Sequence, residues 1–501
     1  MDITKIISGL SITGSSPAPL YVQLANSLAV KIQNSELPQG LKLPPERELA
    51  KLLGVSRTTT LNAYRLLEER RLVLSKQGSG TYVNNFIAAP KNSMAWEQLF
   101  SPQYKSPLAS LLRTLIAMPT NDESISLAAG MPDPAFYPLA ALEKLASAAK
   151  AGVSAAEYGY IATEGYFPLR QDLAKWQAQF GIQATPDQYL VVSGSQQGLY
   201  LIVKAFVEQQ DYVIVESPTY LGAIQSLESA GARLLTLPAG DHLDLILLED
   251  YLIRYRPKLL YTIPTFHNPT GRVMSLEDRQ ALIRLAARYR LVIVEDDPYS
   301  LLYYGQKPPA SLKSLDTYGG VIHLGTFSKT LLPGLRTGWV AAAQPVIDRL
   351  AQEKQHVDLH CNNLSQLVLH ACLQEEFLSH HLLRVRQEYK KRRDAMVQAL
   401  RHHCSEYIDF TVPDGGFYVW CRIKQPLSVT ELMHRAAANR VGFVPGIAFY
   451  TSGSSSNEIR LCFATHEPAI LKEGIRRLGQ LLGPLAAKPS VKMPAAGQPL
   501  I

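Results

Sequence analysis

Residues 321–336 read Val-Ile-His-Leu-Gly-Thr-Phe-Ser-Lys-Thr-Leu-Leu-Pro-Gly-Leu-Arg. Val321 to Leu324 is a short β-prone run, and the small polar residues after it place Lys329 just beyond the carboxyl end of a strand. Open α/β sheets bind their ligands at that edge. Around this stretch similar runs recur at Tyr189–Val192, Tyr212–Val215, Leu259–Ile263 and Leu291–Val294, separated by helical segments. The alternation predicts a mainly parallel sheet covered by helices on both faces, spanning Ile125 to about Ala343. Beyond it, residues 344–482 begin helical and carry strands at Phe417-Tyr-Val-Trp420 and Ile459-Arg-Leu-Cys-Phe463, which predicts a smaller α+β subdomain.

A strand-end lysine is most often a solvated surface group. One that bonds the aldehyde of pyridoxal phosphate needs specific company: a carboxylate for the ring nitrogen, donors for the ring oxygen and a cup for the phosphate. Asp296 closes the strand from Leu291 and supplies the carboxylate. Tyr299, three residues on, and Asn268, in the turn His267-Asn-Pro-Thr-Gly271, supply donors. Gly194-Ser195-Gln196 follows a strand and opens a helix, so its amides suit a phosphate. Thr326, Ser328 and Arg336 add hydroxyls and a permanent charge, and Tyr220 is placed to stack on a ring. Each has a bland reading alone; their order along the chain is what carries weight.

The chain has 501 residues, enough for two or three domains at about 150 each. At 47% hydrophobic and 19% charged it has a globular balance. No apolar run approaches the roughly 18 residues of a membrane helix, and the first 20 residues lack the pattern of a secretory signal. A cytoplasmic protein that makes no membrane contact is expected. The five cysteines form neither a C-x-x-C pair nor a metal-ligand spacing, so reduced thiols and no metal are expected.

The net charge of +7 is mild, but Pro17 to Asn85 holds nine Lys/Arg against five Glu. Leu20, Leu24, Leu28 and Ile32 recur every four residues and predict a helix over Leu20–Gln33. Pro44-Pro45 opens a second helix, Glu46–Leu53. Gly54 makes a turn, and Ser56 caps a third helix, Ser56–Arg71, with an apolar side of Leu61, Tyr64, Leu66 and Leu67. Two short strands flank Lys76-Gln-Gly-Ser-Gly80. The pattern is a helix-turn-helix with a wing. Ser56-Arg57-Thr58-Thr59-Thr60 offers small polar and basic groups at a helix N-terminus, as major-groove reading requires. Arg47 could hold a phosphate, and Gly78 at the wing tip could approach the minor groove.

With Leu43-Pro-Pro-Glu-Arg-Glu-Leu-Ala50, Gly54-Val-Ser-Arg-Thr-Thr59 and Gln77-Gly-Ser-Gly-Thr-Tyr-Val83, residues 17–85 resemble the GntR family of bacterial regulators. The resemblance implies operator DNA near Arg47, Ser56, Arg57, Thr58, Thr59 and Gly78. Residues 125–482 resemble the fold type I pyridoxal-phosphate enzymes related to aspartate aminotransferase, on Tyr160–Arg170, Ser193–Gln197, Asn268–Gly271, Asp296–Tyr299 and Ser328–Arg336. This implies a covalent cofactor at Lys329, a homodimer in which Tyr160 reaches the partner's phosphate, and Arg460 gripping a carboxylate. Thr326 stands where serine is frequent, and keeps the hydroxyl. The two-part layout resembles the MocR regulators, in which the aminotransferase-like domain senses the cofactor and an amino acid or amine. A working aminotransferase with an accessory DNA domain is the alternative. Residues 86–124, with Pro90, Pro102, Pro107 and Pro119, read as a linker containing short helices, and 483–501 as a disordered tail.

Overall fold

A computed structural model describes residues 19–33, 36–38, 40–70, 72–76, 79–84, 124–151, 154–374, 377–425, 429–451 and 457–486. The chain divides into two compact units, Met1–Tyr104 and Lys105–Ile501. Gly78, the segment 86–123 and residues 487–501 lie outside the described residues.

In the first unit α1 (Leu20–Gln33), α2 (Glu46–Leu53) and α3 (Arg57–Glu69) precede the antiparallel pair β1 (Val73–Lys76) and β2 (Gly80–Val83). Gly54 ends α2 at φ 66°, a left-handed conformation that glycine adopts without a Cβ penalty. Ser56 caps α3 by accepting the Thr59 N–H at 3.1 Å. Leu24, Leu28, Leu49, Ala63, Tyr64, Leu67 and Val73 close the core. Each buried leucine contributes roughly 1.5–3 kcal/mol by leaving water. The expected apolar side of α3 needs correction: Tyr64 and Leu67 are buried, but Leu61 and Leu66 are only half-buried, and Thr60 and Ala63 take the inner positions.

The second unit is built on a seven-stranded sheet. Its strands in chain order are β4 (Tyr189–Val192), β5 (Tyr212–Ser217), β6 (Arg233–Pro238), β7 (Leu259–Thr262), β8 (Val292–Asp297), β9 (Val321–Thr326) and β10 (Gly338–Ala341), preceded by a short β3 (Ile125–Ser126). Across the sheet the order is β4-β10-β9-β8-β7-β5-β6. β10 runs antiparallel to both neighbours, and the pairs from β9 to β6 are parallel, as the alternation predicted. Successive side chains enter opposite cores. Ile214, Leu260 and Ile293 meet the helices Leu245–Tyr255 and Leu276–Tyr289, whereas Val213, Val215 and Val294 meet α4 (Ser195–Phe206) and α5 (Leu221–Ser229). Burial on both faces explains why these strands read as apolar runs.

The smaller part is a four-stranded sheet, in order β11 (Ile408–Phe410), β12 (Tyr418–Ile423), β15 (Glu458–Cys462) and β14 (Val444–Pro445). It packs with the long helix α6 (Phe377–His403) and with α7 (Pro468–Ala486). Two boundaries differ from the sequence reading. Ile125–Ser126 pairs with β13 (Val441–Gly442), joining the start of the unit to its smaller part, and α7 continues through Gly483 and Pro484 to Ala486.

Candidate cofactor and DNA sites

The carboxyl ends of β8 and β9 open into a cavity of about 410 Å³, which β12, β15 and the starts of α4 and α5 help to line. Lys329 stands in it, three residues after β9, with Nζ donating to the Gly130 carbonyl at 2.8 Å. Burial disfavours its ammonium form and pulls its pKa from 10.5 to about 8. At neutral pH about one amine in ten is then unprotonated and nucleophilic, where a solvated lysine has fewer than about one in a thousand. Cofactor uptake is expected to accelerate about tenfold per pH unit below 8 and to level off above it, as stopped-flow absorbance would measure.

Asp296, near the end of β8, is buried. Its Oδ2 accepts from the Tyr261 hydroxyl at 2.7 Å, and its Oδ1 has no hydrogen-bond partner among the described residues. Burial raises its pKa to about 6, against the lowering effect of the Tyr261 bond. A buried carboxylate oxygen without a donor is costly unless something supplies one, and a protonated pyridine nitrogen fits that need.

Gly194 begins α4 at φ 83°, and a Cβ there would come within 2.7 Å of Arg336 Nη2. The glycine thus lets the guanidinium close over the helix N-terminus, where Arg336 also donates to the Ser193 carbonyl at 3.2 Å. Ser195 and Ser328 line the same end. Thr326 Oγ1 accepts from the Ser328 N–H at 3.1 Å, tying the loop before Lys329 to its strand. Free amides, a permanent charge and hydroxyls converge here as a phosphate cup. Gln196 accepts from the Tyr220 hydroxyl at 3.0 Å and bonds Ser226, so it anchors the ring of Tyr220 at the cavity wall. Burial pushes the Tyr220 phenol up to about 12, and it stays protonated.

Asn268 Oδ1 accepts from Arg460 Nη1 at 2.9 Å, which leaves the Asn268 amide nitrogen as a donor. The Tyr299 and Tyr418 hydroxyls lie 3.0 Å apart; one donates to the other, and the second keeps its proton for a ligand. Arg460 also donates to the Ala128 carbonyl, and its guanidinium lies 4.1 Å from the centre of the Tyr418 ring. Its Nε is buried without an acceptor among the described residues. Together these residues fit pyridoxal phosphate joined to a carboxylate-bearing partner. Of the residues expected from sequence, Tyr160 alone does not line the cavity. It is 87% exposed, against His360.

Several residues of the site escaped the sequence reading. Tyr418 was legible only as part of a strand and Gly130 sits in a loop without periodicity; Tyr261, which stands behind Asp296 rather than lining the cavity, was legible only as core. A Cβ on Gly130 would overlap the Tyr418 hydroxyl at 1.9 Å, so only glycine fits between that phenol and Lys329.

In the first unit Arg47, Ser56, Arg57 and Thr58 are exposed and Thr59 is half-buried, Arg47 in the first turn of α2 and the others at the N-terminal end of α3. Thr60 is not available to a groove, because its hydroxyl bonds the Glu46 carbonyl at 3.0 Å. Arg57 lies 3.4 Å from Glu46 in an exposed pair of little energetic weight. At the wing the Lys42 chain packs across Gly80, and Ser79 bonds the Tyr82 hydroxyl at 2.7 Å.

Residues 123–478 match the model of aminotransferase class I and II, and residues 20–83 that of bacterial regulatory proteins of the gntR family. A 2-aminoadipate transaminase of Thermus thermophilus is 38% identical over 79% of this chain and 99% of its own length. The uncharacterized HTH-type transcriptional regulator YdfD of Bacillus subtilis is 32% identical over 94% of this chain and 98% of its own. Among solved structures, that of LysN, an α-aminoadipate aminotransferase from Thermus thermophilus complexed with N-(5'-phosphopyridoxyl)-L-leucine, superimposes with a TM-score of 0.72 at 37% identity, covering 79% of this chain and all of that one. No described helix is long and apolar enough to cross a membrane. With a lysine, an aspartate and a phosphate cup gathered at one sheet edge and a winged helix on the same chain, the protein belongs to the aminotransferase class I and II family and carries a gntR-type DNA-binding domain at its N-terminal end.

Proposed function

We propose that this chain is a cytoplasmic, homodimeric transcriptional regulator of the MocR type, whose aminotransferase-like domain senses pyridoxal phosphate together with an amino acid or amine. The observation that carries the reading is a cofactor pocket with an orphaned Asp296 oxygen on the same chain as a capped, exposed recognition helix.

When bound, the cofactor supplies an aldehyde for an amine and a ring that draws electrons from whatever is joined to it. The chain's own residues do the rest. Lys329 presents an amine that gives up its proton more readily than a solvated lysine, and Asp296 would hold negative charge where the ring nitrogen needs it. Arg336 and the start of α4 neutralise the phosphate. Arg460, a planar fork braced by Asn268 and Ala128, grips a carboxylate. A ligand held by Lys329 and Arg460 at once draws together the large sheet and the smaller subdomain, since the two residues sit on β9's loop and on β15. Such a ligand shifts the placement of the DNA heads by no more than its differential affinity for the two arrangements. In the dimer, Tyr160 would extend toward the partner's phosphate, in keeping with its exposure.

Arg57 and Arg47 would meet the duplex with Ser56, Thr58 and Thr59, and Gly78 would follow the wing. Replacing Arg57 by alanine is expected to weaken operator binding about 5- to 150-fold if it reads a base, and to lower the salt slope by about 1 if it meets a phosphate. Titrations at several salt concentrations distinguish the two.

A second reading, turnover as an aminotransferase, is favoured by the lowered Lys329 pKa beside an intact Asp296. Incubating the loaded protein with a panel of amino acids and amines tests both. A keto acid released in excess over protein means turnover. A persistent change in the visible spectrum with no keto acid supports sensing, and that ligand is then tested on DNA.

A further inference from the structure

We propose that a second cavity, which meets the Lys329 pocket at Pro298 and Thr326, is a small-molecule site for a cationic amine carried on an apolar ring. Its volume is about 560 Å³, within the range of ligand pockets. Alternation along β8 builds it: Asp296 turns to the cofactor cavity, and the next residue, Asp297, lines the second one.

Three independent features identify the ligand. First, Asp297 lines the cavity with a carboxyl group that no cation among the described residues meets directly; Lys307, on the same wall, has its ammonium 5.3 Å from the centre of the Phe180 ring. Asp297 Oδ1 accepts the Ser300 N–H at 3.0 Å, and the carboxyl group forms no ion pair among the described residues. The nearby His323 is held instead by Glu295, at 3.1 Å. Arg386 is turned to its own wall, donating to the Leu301 carbonyl and the Tyr303 hydroxyl. Second, the walls include Trp176, Phe180 and Trp339, a packed aromatic cluster with Trp176 and Trp339 ring centres 5.6 Å apart. Such walls suit a ring. Third, the Trp339 indole Nε1 and the Thr330 hydroxyl, on residues each 3% exposed, are buried without a partner among the described residues. Buried donors without acceptors call for an acceptor atom on the occupant. Cation, ring and acceptor together describe an aromatic amine bearing an oxygen.

The test uses the full chain saturated with pyridoxal phosphate and titrated with N,N-dimethyltyramine, a tertiary amine that cannot condense with the cofactor's aldehyde. Two of the chain's four tryptophans line the cavity, so binding reads out as a saturable change in tryptophan fluorescence, checked by calorimetry. The visible band of the cofactor is expected to remain. Asp297→Asn, nearly isosteric, is expected to weaken binding by about tenfold or more, since it removes one charged partner. Leu383→Trp, on the exposed rim, narrows the mouth and is expected to weaken it too, and it keeps the test open should the first variant not fold. Absence of saturable binding, parental affinity in both variants, or competition between the amine and pyridoxal phosphate would overturn the proposal.

Discussion

Replacing Lys329 by alanine is expected to abolish the visible absorbance that pyridoxal phosphate acquires on the protein, while the far-ultraviolet circular dichroism stays unchanged. Lys329 lies beyond β9, and among the described residues its side chain makes one hydrogen bond, to the Gly130 carbonyl, so the sheet does not depend on it. The cofactor would then be held by the phosphate cup and Asp296 alone, and would be lost on dialysis. Wild type is expected to retain about one equivalent per chain, and the variant almost none. Retention of a covalent chromophore in the variant would remove Lys329 from its assigned place.

Arg460 carries the second large effect. Its guanidinium binds Asn268 and Ala128 and lies against Tyr418 and Phe449, so its fork is set before any ligand arrives. Truncation to alanine is expected to weaken an amino acid ligand by about 2–5 kcal/mol, roughly 30-fold to several thousandfold, because the carboxylate would be left buried and unpaired. Arg460→Lys keeps the charge and loses the planar pairing, and is expected to fall in between. A simple amine lacking a carboxylate should be nearly indifferent to both. Comparing an amino acid with its decarboxylated amine, by spectral titration, separates loss of recognition from loss of structure. Equal losses for both ligands would mean that Arg460 acts by bracing Asn268.

Much of this arrangement is legible along the chain because local chemistry and global fold agree there. The four-residue leucine repeat sets Leu20–Gln33, and the left-handed Gly54 with the Ser56 cap sets the turn between α2 and α3. The doubly buried strands announce themselves as β-branched runs. Arg233–Pro238 and Gly338–Ala341 do not. The first is an outer strand with an exposed arginine and a partly exposed face, and the second is a four-residue strand opening on glycine and closing on alanine. Both are strands because of their neighbours. The site divides in the same way. Lys329, Asp296, Gly194 and Asn268 sit at strand ends or in turns and declare themselves by position. Tyr418 and Gly130 enter only when β12 and the segment after β3 are folded over the sheet, and no local pattern encodes that closure. Thr60 illustrates the reverse case: its type suited a groove, but its hydroxyl is drawn inward by the Glu46 carbonyl.

The most direct test of the account measures operator affinity against cofactor and ligand. Duplexes selected by the protein from a random pool would serve, titrated with wild type and with Lys329→Ala, each with and without pyridoxal phosphate and the ligand found in the spectral panel. The account predicts that the wild-type dissociation constant shifts by about 5- to 150-fold on ligand addition, and that the variant binds DNA as the cofactor-free wild type does and does not respond. A wild-type affinity that is the same in every condition would contradict it, leaving the aminotransferase domain no part in regulation.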